Sequence, residues 1–223
     1  ESRGYSVGFI AQPDWRDHKF KSFTQLGEPR LFFAVVPGAV DPLVNAYTPA
    51  LKKRSKDSYS PGGKLTRPER TTIVYVNALH RQYPKTPIII GGIEASLRRF
   101  AHYDYWSNSV RQGILADAPA SLLVYGMGEL ALIEIAKRMR NGDPAERLRD
   151  IPGTCWTMSV GKFRKNPLDD AVLLPSYPDV IDKRKFANAY AVMYRDGHKQ
   201  LVQPHPKTVI IANPPMRPMT TDE

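Results

Sequence analysis

Cysteine is almost missing from this sequence: of 223 residues, only Cys155 carries a thiol. That excludes an internal disulfide, and it excludes a zinc or iron–sulfur site built from several thiolates of this chain alone. Cys155 lies in the stretch "IPGTCWTM" with no CxxC partner, and it reads as a small buried apolar residue rather than a nucleophile. Long apolar runs are also lacking. Nothing approaches the ~18 to 20 residues that a membrane span needs, and no basic segment followed by an apolar one opens the chain. We therefore expect a soluble, cytoplasmic protein without membrane partners. His18, His80, His102, His198 and His205 share no i, i+4 spacing, so we expect no metal set. No nucleophile elbow is present for a hydrolase triad, and no catalytic residue is assigned. The stretch "SPGGKLT" (Ser60 to Thr66) resembles a phosphate loop, but Ser58 stands where a glycine is required and Leu65 replaces the magnesium-binding hydroxyl. A glycine turn beside a lysine is the plainer reading.

Acidic residues are outnumbered, 22 against 32 basic ones, for a net charge of +10. This balance suits a polyanionic partner such as RNA, and equally an ordinary basic surface. Apolar content of 42% over this length is enough to bury a real core.

Apolar runs rich in branched residues predict strands at Tyr5 to Ala11, Leu31 to Val36, Pro87 to Ile90, Ser121 to Tyr125 and Thr208 to Ala212. Helical periodicity predicts helices over Glu69 to Gln82, Glu129 to Arg140 and Val180 to Arg195. Strands alternating with helices imply βαβ units and a mostly parallel α/β sheet with helices on both faces. Residues 37–70 break the pattern with five prolines and the basic run Lys52-Lys53-Arg54, and are expected to form a long irregular insertion on the sheet edge. The stretch Gly153 to Pro178 reads as a second irregular connection. Glu1 to Arg3 reads as the last turn of a helix, and Thr220 to Glu223 as an N-cap signature after a Pro-rich linker, so the fold is expected to be incomplete at both ends. The expected division is a truncated α/β domain over 1–160 and a connecting helix, strand and linker over 161–223.

Two strand ends carry the candidate site. "PIIIGGIEASLRRF" reads as a strand buried on both faces that stops at Gly91-Gly92 and delivers Glu94, Ser96, Arg98 and Arg99. "LLVYGMGELALIEI" ends a second strand at Tyr125, turns at Gly126 and Gly128, and opens a helix with Glu129. In a parallel sheet both turns fall on the edge where ligands bind. Glycines admit a ligand's close approach, and they also serve a tight strand-to-helix turn. The cluster "AHYDYW" between them brings Tyr103 and Tyr105 as stacking groups, or as anchors with Asp104 capping a helix near Trp106. Lys52 to Lys56, interleaved with Tyr47 and Tyr59, is the corresponding RNA-binding candidate.

The strings "GGIEASLRRFAHYDYW", "SYSPGG", "RPERTTIVYVN" and "IPGTCW" resemble the N-terminal, cobalamin-binding-like region of the YgiQ family of radical SAM proteins over nearly the whole chain. The resemblance implies a flavodoxin-like accessory domain preceding a partial TIM barrel, which is the missing C-terminal partner. In the family, that barrel's CxxxCxxC motif holds a [4Fe-4S] cluster that cleaves S-adenosylmethionine. The motif is absent from these residues, so no cofactor is expected to be held by this chain alone. Cobalamin does not follow either, since Asp17-His18 lacks the DxHxxG spacing of a base-off ligand. The substrate, small molecule or RNA, is left open. The alternative is a basic RNA-binding or docking module without catalysis of its own, with "HYDYW" seating it on the barrel.

Overall fold

The computed structural model describes residues 3–64 and 66–221. The helical turn expected over Glu1 to Arg3 and the capping signature over Thr220 to Glu223 fall partly on residues outside that set. The chain runs α1 (Lys21–Thr24), β1 (Phe33–Val35), α2 (Pro42–Ala46), α3 (Thr71–Gln82), β2 (Ile88–Ile90), α4 (Gly92–Leu97), β3 (His102–Asp104), β4 (Ser109–Arg111), α5 (Ile114–Asp117), β5 (Leu122–Val124), α6 (Glu129–Arg140), β6 (Thr154–Ser159), α7 (Val160–Lys165), β7 (Val172–Leu173), α8 (Lys183–Arg195), β8 (Leu201–Pro204) and β9 (Thr208–Ala212). Seven strands form one sheet in the order β1-β2-β5-β6-β9-β8-β7, and β3-β4 is a separate hairpin.

The expected α/β sheet is present. β1, β2 and β5 are mutually parallel, β6 runs against β5, and β9 turns back into their direction, so four of the seven strands point one way. β8 runs against β9, with β7 parallel to it. Consecutive apolar residues in the central strands face opposite sides. Ile88, Ile90 and Ile210 enter a core covered by α1, α3, α5 and the α8 residues Val192 and Met193. Ile89, Val209 and Ile211 enter a second core covered by α6 and α7. The three isoleucines of β2 are all buried, which is why the strand carries no polar alternation.

Several expectations are corrected. Tyr5 to Ala11 is not a strand: among the described residues it joins no sheet, Val7 and Phe9 are exposed, and Gly8 interrupts its apolar alternation. Gly153 to Pro178 is not wholly irregular, because it holds β6, which pairs with β9 over five positions. Its polar threonines and single cysteine disguised a strand that is buried over its first half. Asp104 caps no helix; Tyr105 to Asn108 is the turn of the β3-β4 hairpin, where Asn108 takes the left-handed conformation (φ 48°) that Asn tolerates.

The chain leaves the sheet through a buried polar hub at Asn213. Its amide nitrogen donates to the carbonyls of Arg149 (2.8 Å) and Ile151 (2.9 Å) and to Thr154 Oγ1 (3.1 Å). Its side-chain oxygen accepts from Gln200 Nε2 (2.9 Å) and Trp156 Nε1 (3.3 Å). Tyr125 donates its hydroxyl proton to the Asn213 carbonyl, and Gly153 N–H to that of Pro214. Among the described residues, no helix is long and apolar enough to cross a membrane.

Replacing Asn213 with Leu leaves these buried groups without their partner. We expect a loss of about 2 to 4 kcal/mol of unfolding free energy, read by urea titration.

Candidate functional site

The carboxyl ends of β1, β2 and β5 form one edge, and the two glycine turns lie on it together. Gly92 has φ 79°, and a Cβ there would stand 3.0 Å from Pro37 Cδ. Gly126 has φ 69°, and a Cβ on Gly128 would meet Val124 Cγ1 at 2.8 Å. Glycine is therefore required both by conformation and by close packing, and the edge stays low. Gly126 N–H donates to Ser96 Oγ (3.3 Å), tying the turns to each other.

The polar side chains proposed for a ligand are mostly committed to the fold. Glu94 is buried, and it accepts from Thr72 N (2.9 Å) and Thr72 Oγ1 (2.7 Å), so a carboxylate of α4 caps the start of α3. Burial pushes its carboxyl above the ordinary range, against the pull of the Thr72 bonds. Arg98 is buried and pairs with Asp41 through Nη1, which also donates to the Glu94 carbonyl (3.4 Å). Asp41 in turn caps α2 through Leu43 N (3.0 Å) and Val44 N (3.3 Å). Arg99 donates to the Ser96 carbonyl (2.8 Å), and its guanidinium lies 5.0 Å from the Tyr125 ring centre. Tyr103 is held by Asn108 (2.6 Å) and Tyr105 by the Pro49 carbonyl (2.8 Å). Glu129, at the start of α6, is exposed.

The spacing of motifs gave no hint of a second set of buried charges, which holds residues 37–70 in place. Arg67 pairs with Asp57 (3.0 Å) and donates to the Pro37 carbonyl (3.1 Å). Burial opposes ionisation of Asp57, but Arg67, Ser60, Tyr59 N–H and Asn45 together hold its carboxyl below the usual range. Arg70 reaches across to Asp104 (2.6 Å). The one available sequence signal was Asp41-Pro42, a helix-start pattern. The basic run contributes to the same framework: Lys53 and the Tyr47 hydroxyl both bond Glu69, and Arg54 Nε bonds the Tyr47 carbonyl.

Besides Glu129, the large side chains exposed at this edge include the apolar Val36, Leu97 and Met127. An open cleft of about 300 Å³ lies between the end of α4 and α8, lined by Leu97, Arg99, Phe100, Tyr190, Met193 and Tyr194. It offers one cation and no acid–base pair. Among the described residues, no group of three His, Cys, Asp or Glu side chains is placed to hold a metal ion.

The family model described as "Radical SAM N-terminal" matches residues 1–223, the whole chain. A UPF0313 protein of Methanosarcina acetivorans is 47% identical over 250 residues, covering 100% of this chain and 33% of the relative. One from Methanosarcina mazei is 46% identical, covering 100% and 41%, and one from Geobacter sulfurreducens 45%, covering 100% and 37%. The chain thus spans about a third to two-fifths of the curated relatives it matches. No solved structure matches it.

Arg98→Met strands the buried Asp41 carboxylate and is expected to cost about 3 to 5 kcal/mol, while adding Asp41→Asn, which keeps the helix cap, recovers more than half of it in a double-mutant cycle. Burial also pushes the imidazoles of His102 and His205 down to about 4. The unfolded chain takes up these protons from about pH 6.5 downward and the folded chain does not, so stability falls as the pH drops through that window. Between pH 7.5 and 5.5 the loss is expected to be about 1 kcal/mol per ring, and His205→Phe should remove one share from urea titrations at the two pH values.

Proposed function

The chain belongs to the radical SAM N-terminal family, and on that premise we propose that it is the accessory N-terminal domain of a radical SAM enzyme whose catalytic part lies in the portion of the relatives outside the matched region. The observation that carries this reading is the match of the family model over the whole chain, joined to relatives more than twice as long. In the same reading, residues 161–223 supply a helix, strands and a Pro-rich linker leading to that part.

Radical SAM chemistry draws on a [4Fe-4S] cluster and S-adenosylmethionine. The residues here do not fit the cluster: the single thiol, Cys155, is buried in β6, and burial pushes it up to about 12, where no thiolate forms. The sequence offers no DxHxxG spacing for cobalamin either, and His102, close to Arg98, is buried rather than presented to a ligand. Cluster and S-adenosylmethionine are therefore assigned to the rest of the full-length protein. The domain's share of the work is a shaped surface: glycine turns keep the sheet edge low, internal ion pairs fix the segments around it, and apolar side chains are presented outward.

The full-length protein, reconstituted anaerobically with iron and sulfide and given dithionite, is expected to convert S-adenosylmethionine to 5′-deoxyadenosine and methionine, with no product from residues 1–223. A full-length protein that carries the cluster yet releases no 5′-deoxyadenosine would overturn the assignment.

A further inference from the structure

We propose that the apolar face running from the carboxyl edge of β1, β2 and β5 across α4 to α8 is the seat of the C-terminal portion of the full-length protein. This rests on reading the chain as an N-terminal accessory domain, and it specifies the surface that such a domain uses.

Four large apolar residues stand exposed on one connected patch: Val36 (55%), Leu97 (60%), Met127 (70%) and Tyr194 (94%). Their continuity follows from contacts. A Cβ on Gly92 would lie 3.6 Å from Val36 Cβ, which puts the end of β1 against the start of α4. Gly126, beside Met127, bonds Ser96 of α4. Leu97 lines the cleft that Tyr190, Met193 and Tyr194 close from the α8 side. Isolated exposed apolar residues are ordinary, whereas a connected face of this kind marks an interaction surface.

Two observations select the occupant. The first is where the chain leaves the sheet. β9 shares the direction of β1, β2 and β5, so Ala212 ends at the same edge, and Asn213 is pinned there by Tyr125, the residue next to the Gly126-Met127 turn. The chain beyond Asn213 thus sets out from the same edge as the patch, passing Gly153 with Met216 packed on the second core. The second is length: about three-fifths to two-thirds of the relatives lies outside the region this N-terminal family spans. A covalently attached neighbour that starts at this edge has a high effective concentration there and needs little affinity of its own. A small ligand is a poorer fit, because Glu94 and Arg98 face inward to Thr72 and Asp41 and leave few convergent polar groups in the cleft.

The test uses the full-length protein with Leu97→Asp, Met127→Asp and the control Leu173→Asp, the last an exposed residue on the opposite edge strand, β7. We expect each of the two face variants to speed cleavage in the Pro-rich stretch after Asn213 about tenfold in limited proteolysis and to split thermal unfolding into two transitions, with the control behaving as wild type. Cleavage and unfolding unchanged in both face variants would overturn the proposal. So would a wild-type dimer that Met127→Asp disperses, since a second copy would then cover the face, and so would unchanged stability with lost turnover, which marks a ligand site. 5′-Deoxyadenosine formation, measured in parallel, keeps the two readings apart: its absence from every protein, wild type included, sinks the radical SAM assignment and leaves the proteolysis result standing.

Discussion

Helix α4 is only six residues long, yet it and the residue that caps its end, Arg98, bring two buried ionisable side chains that reach in different directions. Glu94 satisfies the free amides at the start of α3, and Arg98 holds Asp41, which starts α2. Neither charge could be buried alone, since an isolated ion in a protein interior costs several kcal/mol. Each is tolerated because it ends a helix or neutralises a partner that does. The result is a clamp: the sheet positions α4, and α4 positions both the helix packed on the first core and the long segment after β1. Together with the Arg67–Asp57 and Arg70–Asp104 pairs, it fixes residues 37–70, whose regular structure is slight.

The same contacts explain why the edge looked like a ligand site in sequence and is built differently. Acid, hydroxyl and arginine after a glycine turn are the right residue types for holding an anion, and the turns do lie together. Whether such side chains point out or in depends on partners far away in the chain, at Asp41 and Thr72, and no local spacing reveals them. The glycines were legible for the opposite reason, since a positive φ is a local demand. α6 was legible to its last residue because its apolar stripe and its Asn141-Gly142 stop are local too. β6 was not, because its burial comes from strands on either side of it rather than from its own composition. Tyr5 to Ala11 failed in the other sense, with strand-forming residues and no sheet edge available to them.

The polar side chains of this edge are largely committed to the fold. The one thiol is buried, burial keeps His102 and His205 neutral, and Glu94, Arg98, Asp57 and Arg67 bond within the fold. The chain belongs to a family described as radical SAM N-terminal, and it spans about a third to two-fifths of the relatives it matches.

The place of β9 in the sheet bears on how the protein is made. It lies between β6 and β8, inside the sheet, and it is the last strand among the described residues. A ribosome must therefore deliver residue 212 before the sheet can close, and until then the unpaired side of β6 is open to any other extended chain. The unpaired edge of β8 is exposed over the same interval, so these residues can complete their sheet only when the strand that joins its two sides has been made.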